Sequence, residues 1–207
     1  MYKSSDFFDL SHTIARDALE KNEPHAVLSR LDEVILELIR SLDSSEYIRC
    51  SENVLVSRYA EIDSDASIGE RVIIGHGARV RKGALIRGDA IIGEGATIGN
   101  SCEIKSSIIF DGAQIPHFNY VGNSILGYRA HLGAGAIASN LRLDGRSVPV
   151  RLDGAVIDSG MRKLGALIGD FAEIGCNAVL CPGAVIERGA RIMPLSCVRG
   201  YVRGDFY

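Results

Sequence analysis

Residues 67–104, SIGERVIIGHGARVRKGALIRGDAIIGEGATIGNSCEI, carry an apolar residue at every sixth position: Ile68, Ile74, Val80, Ile86, Ile92, Ile98 and Ile104. Four places after each of these openers stands a small or apolar residue, Val72, Ala78, Ala84, Ala90, Ala96, Cys102 and Ile108. No α-helix has this period, because residues on one helical face recur at three and four. Six-residue units of this kind mark a parallel β-helix, in which each unit is a short strand plus a corner and three units close one triangular coil. Coils stacked at about 4.8 Å align the openers as interior columns. Each buried aliphatic opener then contributes about 1.5–3 kcal/mol.

Worked outward, the pattern extends back through Ile62 and Val56 to Cys50 and forward to Phe110, covering residues 50–115. Beyond Ile115 the register compresses, with Val121, Leu126 and Leu132 as the next openers, and hexads continue to Ala138. They resume at Ile168, Ile174, Leu180, Ile186 and Ile192. Residues 141–167 form an excursion containing SVPVRLDGAVID, where alternating apolar residues flank an Asp-Gly pair and predict a hairpin. Such a loop serves an active site or a subunit contact, or is a tolerated surface insertion.

The first 49 residues are of another kind. Val27, Leu28, Leu31, Val34, Ile35, Leu38, Ile39 and Leu42 recur at helical spacing after Pro24, and a shorter helix is expected from Ser11 to Lys21 with the Ser11 hydroxyl as its cap. Together they predict a helical hairpin capping the open end of the β-helix. The domain reading is therefore a helical cap over 1–49 and a β-helix over 50–207.

Composition narrows the function. A 207-residue chain with formal charge −3 and no basic stripe with interleaved aromatics does not suit nucleic acid. Neither a secretory signal nor a bilayer-length apolar run is visible, so a cytoplasmic protein with no membrane partner is expected. Of the five cysteines, Cys50, Cys102 and Cys197 fall on openers or fifth places and read as buried thiols, while Cys176 and Cys181 stand alone. The five histidines are widely separated, and no metal site is expected.

Polar residues gather where the register breaks: His117, Asn119, Tyr120, Asn123, His131 and Asn140, near coil faces carrying Arg87 and Lys105. Read alone, Arg87 and Lys105 are ordinary surface charges that follow openers, and a loop histidine is more often structural than catalytic.

The stretches IRGDAIIGEGATIGNSCEIKSSII, PHFNYVG and HLGAGAIASN, spanning residues 86–140, resemble the acetyltransferase domain of the bifunctional N-acetylglucosamine-1-phosphate uridylyltransferase / glucosamine-1-phosphate N-acetyltransferase enzymes, closest to their archaeal form and to stand-alone bacterial relatives. The resemblance implies a mainly β fold, a left-handed parallel β-helix of about six coils with a small N-terminal helical hairpin, since repeat families conserve the stacked unit. It further implies a homotrimer with acetyl-CoA as cosubstrate in grooves between subunits. Carried over position by position, His117 matches the general base. Arg87 and Lys105 match residues holding the sugar phosphate, Tyr120 and Asn140 match further substrate contacts, and Ala134, Cys176 and Pro194 match coenzyme contacts.

Departures accompany the match. His131 stands where the family has an asparagine near the acceptor amine, which puts glucosamine-1-phosphate as acceptor in doubt and supplies a second base. Arg146, in NLRLDGR, is a candidate phosphate or coenzyme contact, and Lys163 is placed to reach the groove. No glycine-rich nucleotide loop follows a predicted strand, so uridylyl transfer is not expected of this chain alone. The expected activity is acetyl-CoA-dependent N-acetylation of an amino-sugar phosphate or sugar nucleotide. A noncatalytic β-helix trimer, serving as scaffold or as sugar-nucleotide-binding partner of a separate nucleotidyltransferase, is the competing reading.

Overall fold

The computed structural model describes residues 2–204. Its strands are nearly all parallel and two to eight residues long, and each pairs with the strand one coil earlier and one coil later. Three faces result. The first carries Leu85–Gly88, Glu103–Lys105, Tyr120–Gly122, Ile137–Ala138, Val179–Leu180 and Cys197–Val198 in register. The second carries Val54–Ser57, Val72–Ile74, Ala90–Ile92, Ser107–Ile109, Ile125–Leu126, Leu167–Ile168, Val185–Ile186 and Tyr201–Val202. The third is a seven-stranded sheet from Glu61–Ile62 to Arg191–Ile192, which gives seven coils rather than about six.

The interior columns are the expected openers, with alanines at the corners, and almost all are fully buried. Two positions differ. Ile92 pairs with Ile109, and it is Ile109 that enters the interior, so the repeat already loses a residue after Ile104. Phe110 faces outward instead, its ring centroid 5.2 Å from that of Phe8, because an aromatic ring finds a larger apolar partner there than a narrow prism allows. The fifth place accordingly falls on buried Ala113 and not on Gln114.

Cys50 is also displaced. Tyr47–Ser51 pairs antiparallel with Val54–Ser57, so this thiol lies in a hairpin outside the coils and is exposed. Cys197 is likewise exposed, since it precedes the buried Val198 and alternation turns it outward. Cys102 is buried as expected, and burial pushes its thiol pKa up.

The N-terminal segment forms short helices at Arg16–Lys21, Pro24–Ser29 and Leu31–Ser41. Ser11 does not cap the first; its own N–H and hydroxyl donate to the Asp9 carboxylate. Nor do the helices close the end of the coil. The outward positions of the second face are large and apolar (Leu55, Ile73, Ile91, Ile108, Ile125, Leu167, Val185), and they form one buried cluster with Phe8, Leu19, Leu28, Leu31 and Ile35. That row offers more apolar area than an end does, and the helices lie along it. Val148, Val150 and Leu164 of the excursion join the same cluster. The hairpin there is as expected: Pro149–Leu152 pairs with Ala155–Asp158 across Asp153-Gly154, both with positive φ. With the second face covered, the first and third remain open for function.

Candidate active site

Stacked coils convert sequence spacing into columns, and one column lies at the corner between the third and first faces. His117 pairs with Asn100 at the end of strand Gln114–His117. Gly135 N–H donates to the His117 carbonyl (3.0 Å), Asn177 N–H to that of Ala134 (2.9 Å), and Leu195 N–H to that of Cys176 (3.0 Å). Thus His117, Ala134, Cys176 and Pro194 occupy equivalent corners of successive coils, about 4.8 Å apart. Each is followed by a residue with positive φ (Phe118 55°, Gly135 72°, Asn177 56°, Leu195 64°), the conformation that turns the corner. His117 is exposed, and the side chains after it in the column are small, leaving a shallow groove along the axis.

Buried Asn119 fixes this corner. Its Oδ1 accepts the His117 N–H at 3.0 Å while its Nδ2 donates to the Gly133 and Ala136 carbonyls at 2.7 and 3.1 Å. Asn119 is therefore a buried brace between the coil of His117 and that of Ala134, with its polar atoms spent on backbone.

A second cluster sits at the opposite edge of the first face. Arg87 donates to Glu103 at 2.8 Å, and Lys105 lies on the neighbouring strand, half-buried. Burial holds the Lys105 pKa below its ordinary value, and the positive charges of Lys163 and Arg87 push it the same way. Three cations thus converge, with Glu103 and Asp89 offsetting them. Beside them Tyr120 folds over Gly122, where a Cβ would lie 2.5 Å from the Tyr120 hydroxyl and 2.6 Å from Asn140 Nδ2. Asn140 is buried and donates to Tyr120 Oη (3.1 Å) and Asn123 Oδ1 (2.7 Å). Arg87, Lys105, Tyr120, Asn140 and Lys163 therefore form one constellation suited to an anion with hydroxyls.

The two clusters flank the first face, His117 at one corner and Lys105 towards the other edge. His117 closes the strand Gln114–His117 on one side of the corner, and Gly122, the rung neighbour of Lys105, ends the strand Tyr120–Gly122 on the other. His131 is not with His117. It lies on the third face between Gln114 and Glu173, with Nδ1 2.9 Å from the Glu173 carboxylate. Arg146 is exposed in a turn closed on Asp144, within the excursion that leaves from the edge of the first face away from Ala134, Cys176 and Pro194. Among the described residues no three His, Cys, Asp or Glu side chains converge as metal ligands, and no helix is long and apolar enough to cross a membrane.

Residues 74–162 match the family profile of the GMPPB C-terminal domain. The chain is 43% identical over 110 residues to a bifunctional sugar-1-phosphate nucleotidylyltransferase/acetyltransferase of Sulfurisphaera tokodaii, covering 52% of this chain and 27% of that protein. It is 44% identical over 92 residues to the bifunctional protein GlmU of Methanococcus maripaludis, covering 44% and 22%. It thus spans about a quarter of the length of these relatives. The acetyltransferase domain of PglB from Neisseria gonorrhoeae is similar with a TM-score of 0.32 and 17% identity, over 77% of this chain and 72% of that one. The chain is a hexapeptide-repeat β-helix whose sequence relatives are bifunctional sugar-1-phosphate nucleotidylyltransferase/acetyltransferases.

Proposed function

We propose that the protein is an acetyl-CoA-dependent N-acetyltransferase for an amino-sugar phosphate or sugar nucleotide, acting as a cytoplasmic homotrimer. The observation that carries this reading is the single corner column of His117, Ala134, Cys176 and Pro194 at one edge of the first face, with Arg87, Lys105 and Lys163 converging at the other. An extended thioester would lie along the column, whose small side chains admit it, with its carbonyl near Ala134. A phosphate suits the cationic edge: Arg87 grips it through two parallel hydrogen bonds, and Lys105 and Lys163 add point charge. Tyr120 and Asn140 supply neutral hydrogen bonds to sugar hydroxyls.

The amine nitrogen attacks the thioester carbon, forming the C–N bond as the neutral His117 imidazole removes the ammonium proton left on nitrogen. The tetrahedral oxyanion is stabilised by a backbone N–H near Ala134. It collapses with breakage of the C–S bond, and the proton held by His117 passes to the departing thiolate. Proton transfer accounts for about 10²–10⁴ in rate, and holding amine and thioester together accounts for much of the rest. His131, paired with Glu173 on another face, is assigned no part in proton removal within its own chain.

The test is thiol release from acetyl-CoA by the full chain against amino sugars and their phosphates. Acceptor-dependent release that favours a phosphorylated amino sugar is expected. His117→Ala should lower turnover about 10²–10⁴-fold with an unchanged melting temperature. Acetyl-CoA at a hundred times its Kd should stabilise the fold by about 2.7 kcal/mol. No release with any acceptor and no thermal shift would defeat the enzyme and leave the noncatalytic trimer.

A further inference from the structure

The cationic edge does not end at Lys163. A cavity of about 590 Å³ opens next to it, lined by Ser29, Leu141, Gly160, Met161, Arg162 and Lys163. It shares a wall with the cluster around Lys105: Leu141 and Lys163 form an antiparallel bridge, and the Leu164 N–H donates to the Asn140 carbonyl at 3.0 Å. Lys163 therefore borders both, with Lys105 on one side and the cavity on the other. The lining is of two kinds. Arg162 and Lys163 are exposed cations, and among the described residues neither pairs with a carboxylate. Leu141 and Met161 supply an apolar wall, and Gly160 adds no side chain to it. The Ser29 hydroxyl, at the end of helix Pro24–Ser29, donates to the Ala26 carbonyl at 2.8 Å and keeps lone pairs free to accept.

We propose, resting on the acetyltransferase reading above, that the acceptor is an amino sugar carried on a nucleoside diphosphate, whose nucleoside sits in this cavity. A sugar 1-phosphate reaches no further than Arg87, Lys105 and Lys163. In a nucleotide-linked sugar the phosphate next to the sugar takes Arg87 and Lys105, and the second phosphate falls to Lys163 and Arg162. Met161 stands two residues before Lys163, at most about 7 Å along the chain. That is within reach of a ribose and base attached to the second phosphate.

The base there meets the Met161 thioether and the Leu141 side chain, a surface that favours an aromatic ring, and its N–H can donate to the Ser29 hydroxyl. A volume of about 590 Å³ and a lining of apolar walls with a few polar groups are those of a small-molecule site. The nucleotide takes no part in the bond changes of acetyl transfer. It adds binding and selects the acceptor.

The first measurement needs no turnover: the full chain is titrated calorimetrically with UDP, GDP and thymidine diphosphate, and with inorganic pyrophosphate. One of the nucleotides should bind at least about 10-fold more tightly than pyrophosphate, the extra affinity coming from the apolar wall. Arg162→Ala should weaken that nucleotide about 10-fold or more, as loss of a charged hydrogen bond does. Leu141→Glu, which sets a carboxylate against the second phosphate, should act in the same direction, and both side chains are exposed, so the fold tolerates the changes. The second measurement is thiol release from acetyl-CoA with amino sugars linked to that nucleotide and with the same sugars as 1-phosphates. The linked sugar should have the higher kcat/KM, and Arg162→Ala should erase the preference. Nucleotides that bind no better than pyrophosphate, or a linked sugar that reacts no better than its 1-phosphate, would overturn the proposal and leave the acetyltransferase reading intact. Tight nucleotide binding with no release from any acceptor would instead defeat that reading, and the acceptor role with it.

Discussion

Asp111 offers a quantitative test of how the N-terminal segment is held. It follows Phe110, its N–H donates to the His12 carbonyl (3.1 Å), and its Oδ1 accepts the Glu94 N–H at 2.7 Å. Burial is the main cause that raises its pKa from 3.8 to about 6; the Glu94 charge adds to the rise, while the hydrogen bond and His12 oppose it. A carboxyl whose folded pKa is raised binds its proton more tightly in the native state. Its contribution to stability is therefore complete below about pH 4, falls as the pH climbs, and is gone above about pH 6. Two pKa units correspond to about 3 kcal/mol. Asp111 is only half-buried, and solvent screening reduces this to about 1–2 kcal/mol. Asp111→Asn keeps an acceptor for Glu94 and cannot ionise. Its melting temperature relative to the parent should rise from near parity at pH 4 to a gain of about 2–8 °C at pH 7, on the scale of 2–4 °C per kcal/mol for a chain of this size. Other titrating groups cancel in the comparison. A difference identical at the two pH values would show that the Asp111 carboxyl is solvated and that the segment is held otherwise.

Asp170 accepts the N–H groups of Asp9 (2.6 Å) and Tyr128 (2.8 Å) while almost wholly buried, so Asp170→Ala orphans two donors at about 1–3 kcal/mol each; urea unfolding, with faster amide exchange at Asp9 and Tyr128, checks this. Gly99→Ala would set a Cβ 1.7 Å from the Pro116 carbonyl oxygen, forcing apart the strands that lead to Asn100 and His117. A loss of at least about 1–3 kcal/mol, the usual penalty of overpacking, is expected by thermal melting, together with reduced turnover. Arg87→Ala should raise the acceptor KM with kcat little changed, and only for phosphorylated acceptors; an equal penalty on the unphosphorylated sugar would detach Arg87 from the phosphate.

The interior was legible because a six-residue period has one architectural solution, and Ile62 through Ile192 fell where the period put them apart from the slip at Phe110. The slip escaped notice because Phe110 and Ile109 are both apolar and periodicity alone does not choose between them. The place of the helices could have been read. Every third opener is preceded by a second large apolar residue, Ile73, Ile91, Ile125, Leu167 and Val185 among them, which marks a face buried on both sides. The column of His117, Ala134, Cys176 and Pro194 came from the resemblance, and its stacking follows from coil length. The pairing of His131 with Glu173 was not legible. It joins coils on either side of the 141–167 excursion, whose length does not tell which residue resumes the column.

The separation between the two clusters leads to a sharper test of the proposed assembly. His117 stands at the corner where the third face ends, and the strand position beside Lys105 lies five residues on, along the first face. The amine and phosphate of an amino-sugar 1-phosphate are attached to adjacent ring carbons, so base and phosphate grip must come close together. In the proposed trimer a phosphate held by Arg87 and Lys105 of one copy would meet the His117 corner of a neighbour. Two defective variants should complement each other on that account. His117→Ala chains retain the cationic edge and Arg87→Ala chains retain the base, so mixed oligomers contain some interfaces that are intact on both sides. In a cyclic trimer assembled at random from equal amounts, about a quarter of the interfaces are of this kind. After mixing, dissociation and reassembly, activity at low acceptor concentration should recover to about that fraction of the parent. If the mixture is no more active than the mean of the two variants, base and phosphate grip act within one chain and the division of the site between copies is wrong.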